Sequence, residues 1–130
     1  MDKKTLKQYQ NLLKEIDQLE AEKRDLYCIQ AVQITDMPKN HKQRDLSDLM
    51  PKLERLQNKI GDRIDKSITL RNEIEDSISS LEPAERVLMR LRYIEGLTWE
   101  QVAVEMHYSY KWVCVLHGRI LDKMRVQKST

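Results

Sequence analysis

Apolar residues recur at helical spacing along most of the chain. Between Lys3 and Ile34 they are separated by three, four, three and seven residues, with Lys23 interrupting the pattern. This heptad-like spacing predicts one amphipathic helix of about 45 Å, at 1.5 Å per residue. The positions that define it are Tyr9, Leu12, Ile16, Leu19 and Leu26.

A polar segment then interrupts the pattern from Thr35 to Asp45. It contains Pro38 and has no apolar periodicity, so we expect a loop of about ten residues there. A second helix should follow, with Ser47 or Asp48 as N-cap, because that start leaves Pro51 in the first turn. Its apolar stripe comprises Leu49, Leu53, Leu56, Ile60, Ile64, Ile68, Leu70, Ile74 and Ile78.

Two long helices joined by a short connection predict an antiparallel, coiled-coil-like hairpin. Each helix offers only a narrow apolar stripe, so the hairpin buries little surface by itself. We therefore expect residues 1–79 to be an oligomerisation domain that forms a homodimer. A hairpin that pairs only within a monomer is the alternative.

The last fifty residues contain start and stop signals for three shorter helices. Pro83 is suited to the first turn of the first helix, with Val87, Leu88, Leu91 and Ile94 as its apolar face, and Gly96 is suited to its end. Thr98 and Gln101 have the spacing of a capping box that opens the second helix. The turn from His107 to Ser109 leads into the third helix, with Ser109 as its N-cap.

The register of these helices matches a helix-turn-helix. If Trp99 is its first residue, the small Ala103 lies where the two helices would cross. His107 occupies the turn position where Gly is usual, which is tolerable because His is enriched among non-glycine residues with positive φ. Residues 80–130 are thus predicted to form a three-helix domain, its remaining apolar positions being Val102, Met106, Tyr108, Val113 and Leu116.

The composition supports an all-α chain. Of its 130 residues, 34% are charged and 40% hydrophobic, and only three are Gly and three Pro, too few turn formers for a β-sandwich or a βαβ nucleotide fold. The two cysteines exclude a disulfide scaffold, and no apolar run is long enough to span a membrane. Without a signal peptide, the protein is expected to be cytoplasmic.

Charge is distributed unevenly. Residues 1–79 carry 15 basic and 15 acidic residues, whereas residues 107–130 carry five basic residues against Asp122 alone. Such an excess indicates a polyanionic partner for the C-terminal helix, unless it marks only a solvated face.

We expect the final helix to read DNA with its exposed, N-terminal part. Lys111 suits guanine O6 and N7, and Tyr110 or Val115 suits a thymine methyl group. Ser109 with the helix N-terminus suits a phosphate, as do the later basic residues and Arg90 or Arg92 across the groove. The predicted DNA-binding residues are Ser109, Tyr110, Lys111, Trp112, Cys114, Val115, Arg119 and Lys123, with Arg125 and Gly118 beside them.

Several of these residues have a second interpretation. Tyr110 and Trp112 could cover the hydrophobic seam, and Cys114 is either a small neutral side chain or a redox switch. The histidines, His41, His107 and His117, lack the spacing of metal ligands, so neither a metal nor a cofactor is expected. No nucleophile, phosphate loop or paired carboxylates indicate catalysis.

A family resemblance adds to this reading. The stretch from Leu81 to Ala103, LEPAERVLMRLRYIEGLTWEQVA, resembles region 4 of sigma-70-type transcription factors. The following stretch from Tyr108 to Met124 is similar to small phage-encoded regulators of the ArpU-like kind, which join a helical hairpin to such a domain. His107 departs from the usual Gly.

The resemblance implies a sequence-specific DNA-binding regulator of late phage or mobile-element genes. The partners that it implies are double-stranded DNA and, as a second possibility, RNA polymerase. Two alternatives remain open: an RNA polymerase-binding adaptor with weak DNA affinity, and a packaging factor like the small terminase subunits.

Overall fold

Helices account for nearly all of the described chain. The computed structural model describes the backbone of residues 2–36 and 39–129 and the side chains of residues 2–28 and 48–125. The helices are α1 (Lys3–Asp36), α2 (Lys39–Ile78), α3 (Pro83–Met89), α4 (Trp99–Met106) and α5 (Tyr110–Ser129), and α3 continues into a π-helical turn, Arg90–Ile94. The described residues include no strand, so the all-α prediction is confirmed.

The prediction of a loop of about ten residues after α1 is wrong. Helix α2 begins at Lys39, not at Ser47 or Asp48, and only Met37 and Pro38 separate it from α1. These two residues, which the loop prediction included, lie outside the described part of the chain. The segment that follows them contains no Gly, and a helix already formed adds each further polar residue at little cost. Pro51 consequently lies in the helix interior rather than in its first turn.

The contacts divide the chain into two compact units, each described by itself. The hairpin unit is Leu12–Lys66, and the helix-turn-helix unit is Met1–Asn11 together with Ser67–Thr130. The predicted domains, an oligomerising hairpin over 1–79 and a DNA-binding domain over 80–130, are a division by function. That division stays a prediction.

In the hairpin unit α1 and α2 run antiparallel, as expected. The Arg63 guanidinium donates to Glu15 at 2.8 Å, and the Lys23 ammonium donates to Gln57 at 2.6 Å, so the paired positions move in opposite directions along the two helices. The stripe buried between them is narrow: Ile16, Leu49, Leu53, Leu56 and Ile60.

In the helix-turn-helix unit the ends of the long helices complete the core of the short ones. Fully or almost fully buried apolar side chains come from α1, from the end of α2 and from every later helix. Three predicted core residues are exposed instead: Ile68 by 54%, Val87 by 45% and Tyr108 by 37%. Met89 and Tyr93 take buried positions. The buried set is Leu6, Tyr9, Leu70, Ile74, Ile78, Leu81, Leu88, Met89, Tyr93, Val102, Ala103, Val113, Leu116, Ile120 and Met124.

Gly96 and Gln10 close the π-helical turn, and the predicted helix end at Gly96 is confirmed. Gly96 has φ +77°, a left-handed conformation that suits glycine. The Gln10 side-chain amide donates to the carbonyls of Tyr93 at 2.9 Å and Ile94 at 2.7 Å, which satisfies acceptors left free at the helix end. A Cβ at Gly96 would lie 2.6 Å from Gln10 Oε1, so the position needs glycine for space as well.

We therefore expect Gly96→Ala to lower the free energy of unfolding by about 1–3 kcal/mol, through strain at positive φ and the clash with Gln10. Gly61→Ala is the matched control, because a Cβ there meets nothing within 4 Å and alanine favours the helix. Chemical denaturation of both variants measures the difference. If Gly96→Ala is as stable as the wild-type protein, position 96 does not need glycine for its positive φ or for the space beside Gln10.

Candidate nucleic-acid interface

The turn between α4 and α5 is built around His107. His107 adopts φ 59° and ψ 36°, as anticipated for a residue at this glycine position. Its N–H donates to the Val104 carbonyl at 3.2 Å, and the Tyr108 N–H donates to the Ala103 carbonyl at 3.0 Å. This pair of bonds is a Schellman motif, which ends α4 and redirects the chain.

Side-chain caps fix the starts of both helices that flank this turn. The Thr98 hydroxyl accepts from the Gln101 N–H at 3.2 Å, and the Gln101 side chain accepts from the Thr98 N–H at 2.9 Å. The Ser109 hydroxyl accepts from the Trp112 N–H at 3.1 Å. Both predicted N-caps are therefore present, and Ser109 has a structural role in addition to the predicted phosphate contact.

Behind the turn, a buried polar contact joins the π-helical turn to α5. The Tyr93 hydroxyl lies 2.5 Å from His117 Nε2, and both residues are buried. The Trp99 ring packs on the imidazole with centroids 4.4 Å apart, and the Arg92 guanidinium lies 4.5 Å from the Trp99 ring centroid. One cluster thus connects the π-helical turn, α4 and α5 and fixes their relative orientation.

His117 is neutral in this environment. Burial, with a smaller contribution from the positive charges of Lys3, Arg92 and Lys7, lowers its pKa to about 4. Burial also raises the pKa of Tyr93 to about 12, so its hydroxyl keeps its proton. From the sequence, His117 was considered only as a metal ligand, a role for which it lacks the spacing. It lies in fact on the buried stripe of α5, next to Leu116 and one turn after Val113.

A second, partly buried contact holds α5 on α3. The Lys123 ammonium donates to both oxygens of the Glu85 carboxylate, at 3.0 and 2.8 Å, and Glu85 is buried. Burial by itself raises the pKa of Glu85, but the hydrogen bonds from Lys123 and the Glu82 backbone outweigh it, so the pKa is lowered. Lys123, predicted as a DNA contact, is therefore engaged within the protein.

All eight predicted DNA-binding residues are exposed on α5 or at its start. Val113, Leu116, Ile120 and Met124 face inward, as expected. We call the opposite side of α5 the reading face, with Lys111, Val115 and Gly118 along its centre and Cys114 and Arg119 flanking them. A Cβ at Gly118 would meet nothing within 4 Å, so none of the described helices covers this side at that position.

Aromatic rings edge the reading face. Trp112 is 39% exposed, and the Arg119 guanidinium lies 5.2 Å from its ring centroid, which restrains the arginine beside the reading face. Tyr110 is 52% exposed near Cys114, and the electrostatic interaction with the Cys114 side chain raises the pKa of the tyrosine hydroxyl. Neither ring is buried among the apolar side chains between the helices. Asp122 is exposed on the same side toward the end of α5, where it disfavours phosphate.

The two arginines expected across the groove differ in availability. Arg90 forms an ion pair with Glu75 of α2, with 2.9 Å between Nη2 and Oε2. Arg92 donates to the Leu97 carbonyl at 2.9 Å and lies over Trp99, but is absent from the ion pairs of the described side chains. Arg92 is thus the better candidate for an anion.

The described residues offer no sign of other chemistry. They contain no group of three or more His, Cys, Asp or Glu placed to hold a metal ion. None of the described helices combines the length and the apolar character that crossing a bilayer requires.

Comparison with known proteins supports the helix-turn-helix. The family model of sigma-70, region 4, matches residues 77–126, which is less than half of the chain. Region 4 of sigma-70 is a non-catalytic, DNA-binding helix-turn-helix domain, so the match favours a DNA-binding regulator over an enzyme. No curated protein matches the chain, and no solved structure does.

The buried His117 predicts a pH dependence of stability. Between about pH 6.5 and 4 the unfolded chain binds a proton that the folded protein excludes, so the free energy of unfolding should fall as the pH falls through this range, by at most about 3 kcal/mol. His117→Gln should flatten this slope in denaturation at a series of pH values. Tyr93→Phe should retain it, because burial is the main cause. An unchanged slope in His117→Gln would refute this explanation.

Proposed function

We propose that the protein is a sequence-specific DNA-binding transcriptional regulator that inserts the reading face of α5 into the major groove. The observation that carries the proposal is this face itself: an exposed helix side, held by the capped turn, on which Lys111 and Arg119 accompany Val115 and no described neighbour covers Gly118. The residues combine a cation for guanine or phosphate with an apolar side chain for a thymine methyl.

The eight residues have different parts in this proposal. Lys111 and Val115 contact base edges, with Tyr110 and Cys114 beside them, and Cys114 acts as a small neutral side chain. Ser109, Trp112 and Arg119 contact or position the phosphate backbone. Lys123 acts mainly through Glu85, by holding α5 on α3.

The resemblance to ArpU-like regulators supports late phage or mobile-element genes as the target. Region 4 of sigma-70 also binds RNA polymerase. A polymerase-binding adaptor is therefore the second candidate, and Val104 of α4, exposed by 73%, offers an apolar contact for it.

The test begins with a selection of bound duplexes from random DNA. On the selected duplex, Lys111→Ala should weaken binding by about 5- to 150-fold and relax the preference at one base position, since a good base contact is worth about 1–3 kcal/mol. Arg119→Ala should weaken binding to every sequence. It should also lower the slope of log affinity against log salt by about one.

Lys52→Ala is the matched control, because Lys52 is exposed in the hairpin unit. If the two α5 variants bind as the control does while remaining folded, the assignment of the reading face is wrong. If no sequence is enriched and polymerase co-purifies with the protein, the adaptor is the function. Ring formation in solution would favour the packaging factor.

We also propose that the hairpin unit forms a homodimer. A groove of about 610 Å³ lies between its helices, with Tyr27, Ile60 and Ile64 among its lining residues. Tyr27 and Ile64 are 55% and 37% exposed. Charges of both signs also line it, from Glu20, Lys23 and Arg24, and such a surface can pair with a second copy of itself about a two-fold axis.

Light scattering tests the dimer. Ile64→Lys should produce monomers, because it places a charge in the apolar part of the groove. Asn58→Lys, at an exposed position that does not line the groove, should remain dimeric. A monomeric wild-type protein would overturn the proposal.

A further inference from the structure

The first turns of α1 are part of the helix-turn-helix unit, although they lie about eighty residues before it in sequence. Leu6 is completely buried, and the Gln10 amide holds the carbonyls of Tyr93 and Ile94. These contacts fix both the position and the rotation of this end of α1 against the π-helical turn.

The rotation determines where the lysines of α1 lie. Lys3 and Lys7 precede Gln10 by seven and three residues, so all three share one side of the helix. Lys3 and Lys7 are exposed and are absent from the ion pairs of the described side chains. Lys4 is also exposed, but it follows Lys3 directly and therefore lies about 100° around the helix from it.

The electrostatic environment of His117 agrees with this placement. The charges of Lys3, Arg92 and Lys7 all lower the pKa of His117, so all three cations lie on the His117 side of the unit. We call these three residues the basic ridge. Arg92 connects the ridge to α4, because its guanidinium lies over Trp99, the first residue of that helix.

The electrostatics of the basic ridge favour a bound anion. The first turn of α1 contains no acidic residue, and its lysines face the positive end of the helix dipole. The side chain of Asp2, which precedes the helix, accepts from the N–H and the hydroxyl of Thr5. Positive charges gathered on one side of a domain interact favourably with a polyanion.

We propose that Lys3, Lys7 and Arg92 form a second DNA contact, to the phosphate backbone beside the groove that α5 enters. The first helix of a helix-turn-helix crosses the backbone at this point, and the ridge adjoins the start of that helix, α4. The inference rests on the proposed DNA-binding function and extends it: the DNA site includes the beginning of the chain.

The test measures DNA binding of the full chain at a series of salt concentrations, on the duplex selected by the wild-type protein. Lys3→Gln/Lys7→Gln should lower the slope of log affinity against log salt by about two, since each phosphate contact contributes about 0.9. Its base preference should be unchanged. Lys4→Gln against Lys3→Gln is the matched pair, because these consecutive exposed lysines lie about 100° apart on the same helix. Only Lys3→Gln should lower the slope.

Two further measurements make the result decisive. Titration of His117 in the free protein should show a higher pKa in Lys3→Gln/Lys7→Gln than in wild type, which checks both folding and placement. If that variant binds with the wild-type slope while Lys111→Ala loses affinity, the ridge proposal is wrong and the proposed function stands. If wild type binds no duplex at all, both proposals fail.

Discussion

The structure depends most on the buried contact between Tyr93 and His117. A hydroxyl and an imidazole that are removed from water must bond to each other, and this requirement fixes the π-helical turn against α5. Trp99 packs on the same imidazole and adds α4 to the arrangement. The direction in which the reading face points is therefore set by a polar pair inside the core, and the neutral state of His117 is part of that core.

The supports of this core come from distant parts of the chain. Gln10 satisfies the end of the π-helical turn, and Lys123 neutralises the buried carboxylate of Glu85. Both side chains act on the helix-turn-helix from positions that a DNA-binding motif alone would not include. A fragment that begins at residue 80 would lack Leu6 and Gln10. The core of the short helices is therefore complete only when the first turns of α1 are present.

Local signals were enough to predict the turn from the sequence. Thr98, Ser109 and Gly96 each act through the next few residues, and His107 occupies a position whose backbone conformation follows from the motif. The family resemblance pointed to the same region. The exposed side of α5 was predicted from helical periodicity, because the buried residues of this helix recur every three or four residues.

The remaining features depend on tertiary contacts. The bond between Gln10 and Tyr93 spans 83 residues, and no periodicity encodes it. His117 was given no place in the core from the sequence, although its position puts it on the buried stripe of α5. The start of α2 was misjudged because Pro51 was taken as a boundary, whereas a long helix can retain an interior proline when the rest of it is well formed.

Site-specific photocrosslinking would test most directly whether α5 reads DNA. A photoreactive amino acid replaces Val115 on the reading face in one variant and Val104 on α4 in another, and both valines are exposed. If the reading face of α5 enters the major groove, crosslinks to a base form from position 115 and none form from position 104 on the selected duplex. Base crosslinks from position 104, with none from position 115, would contradict that claim.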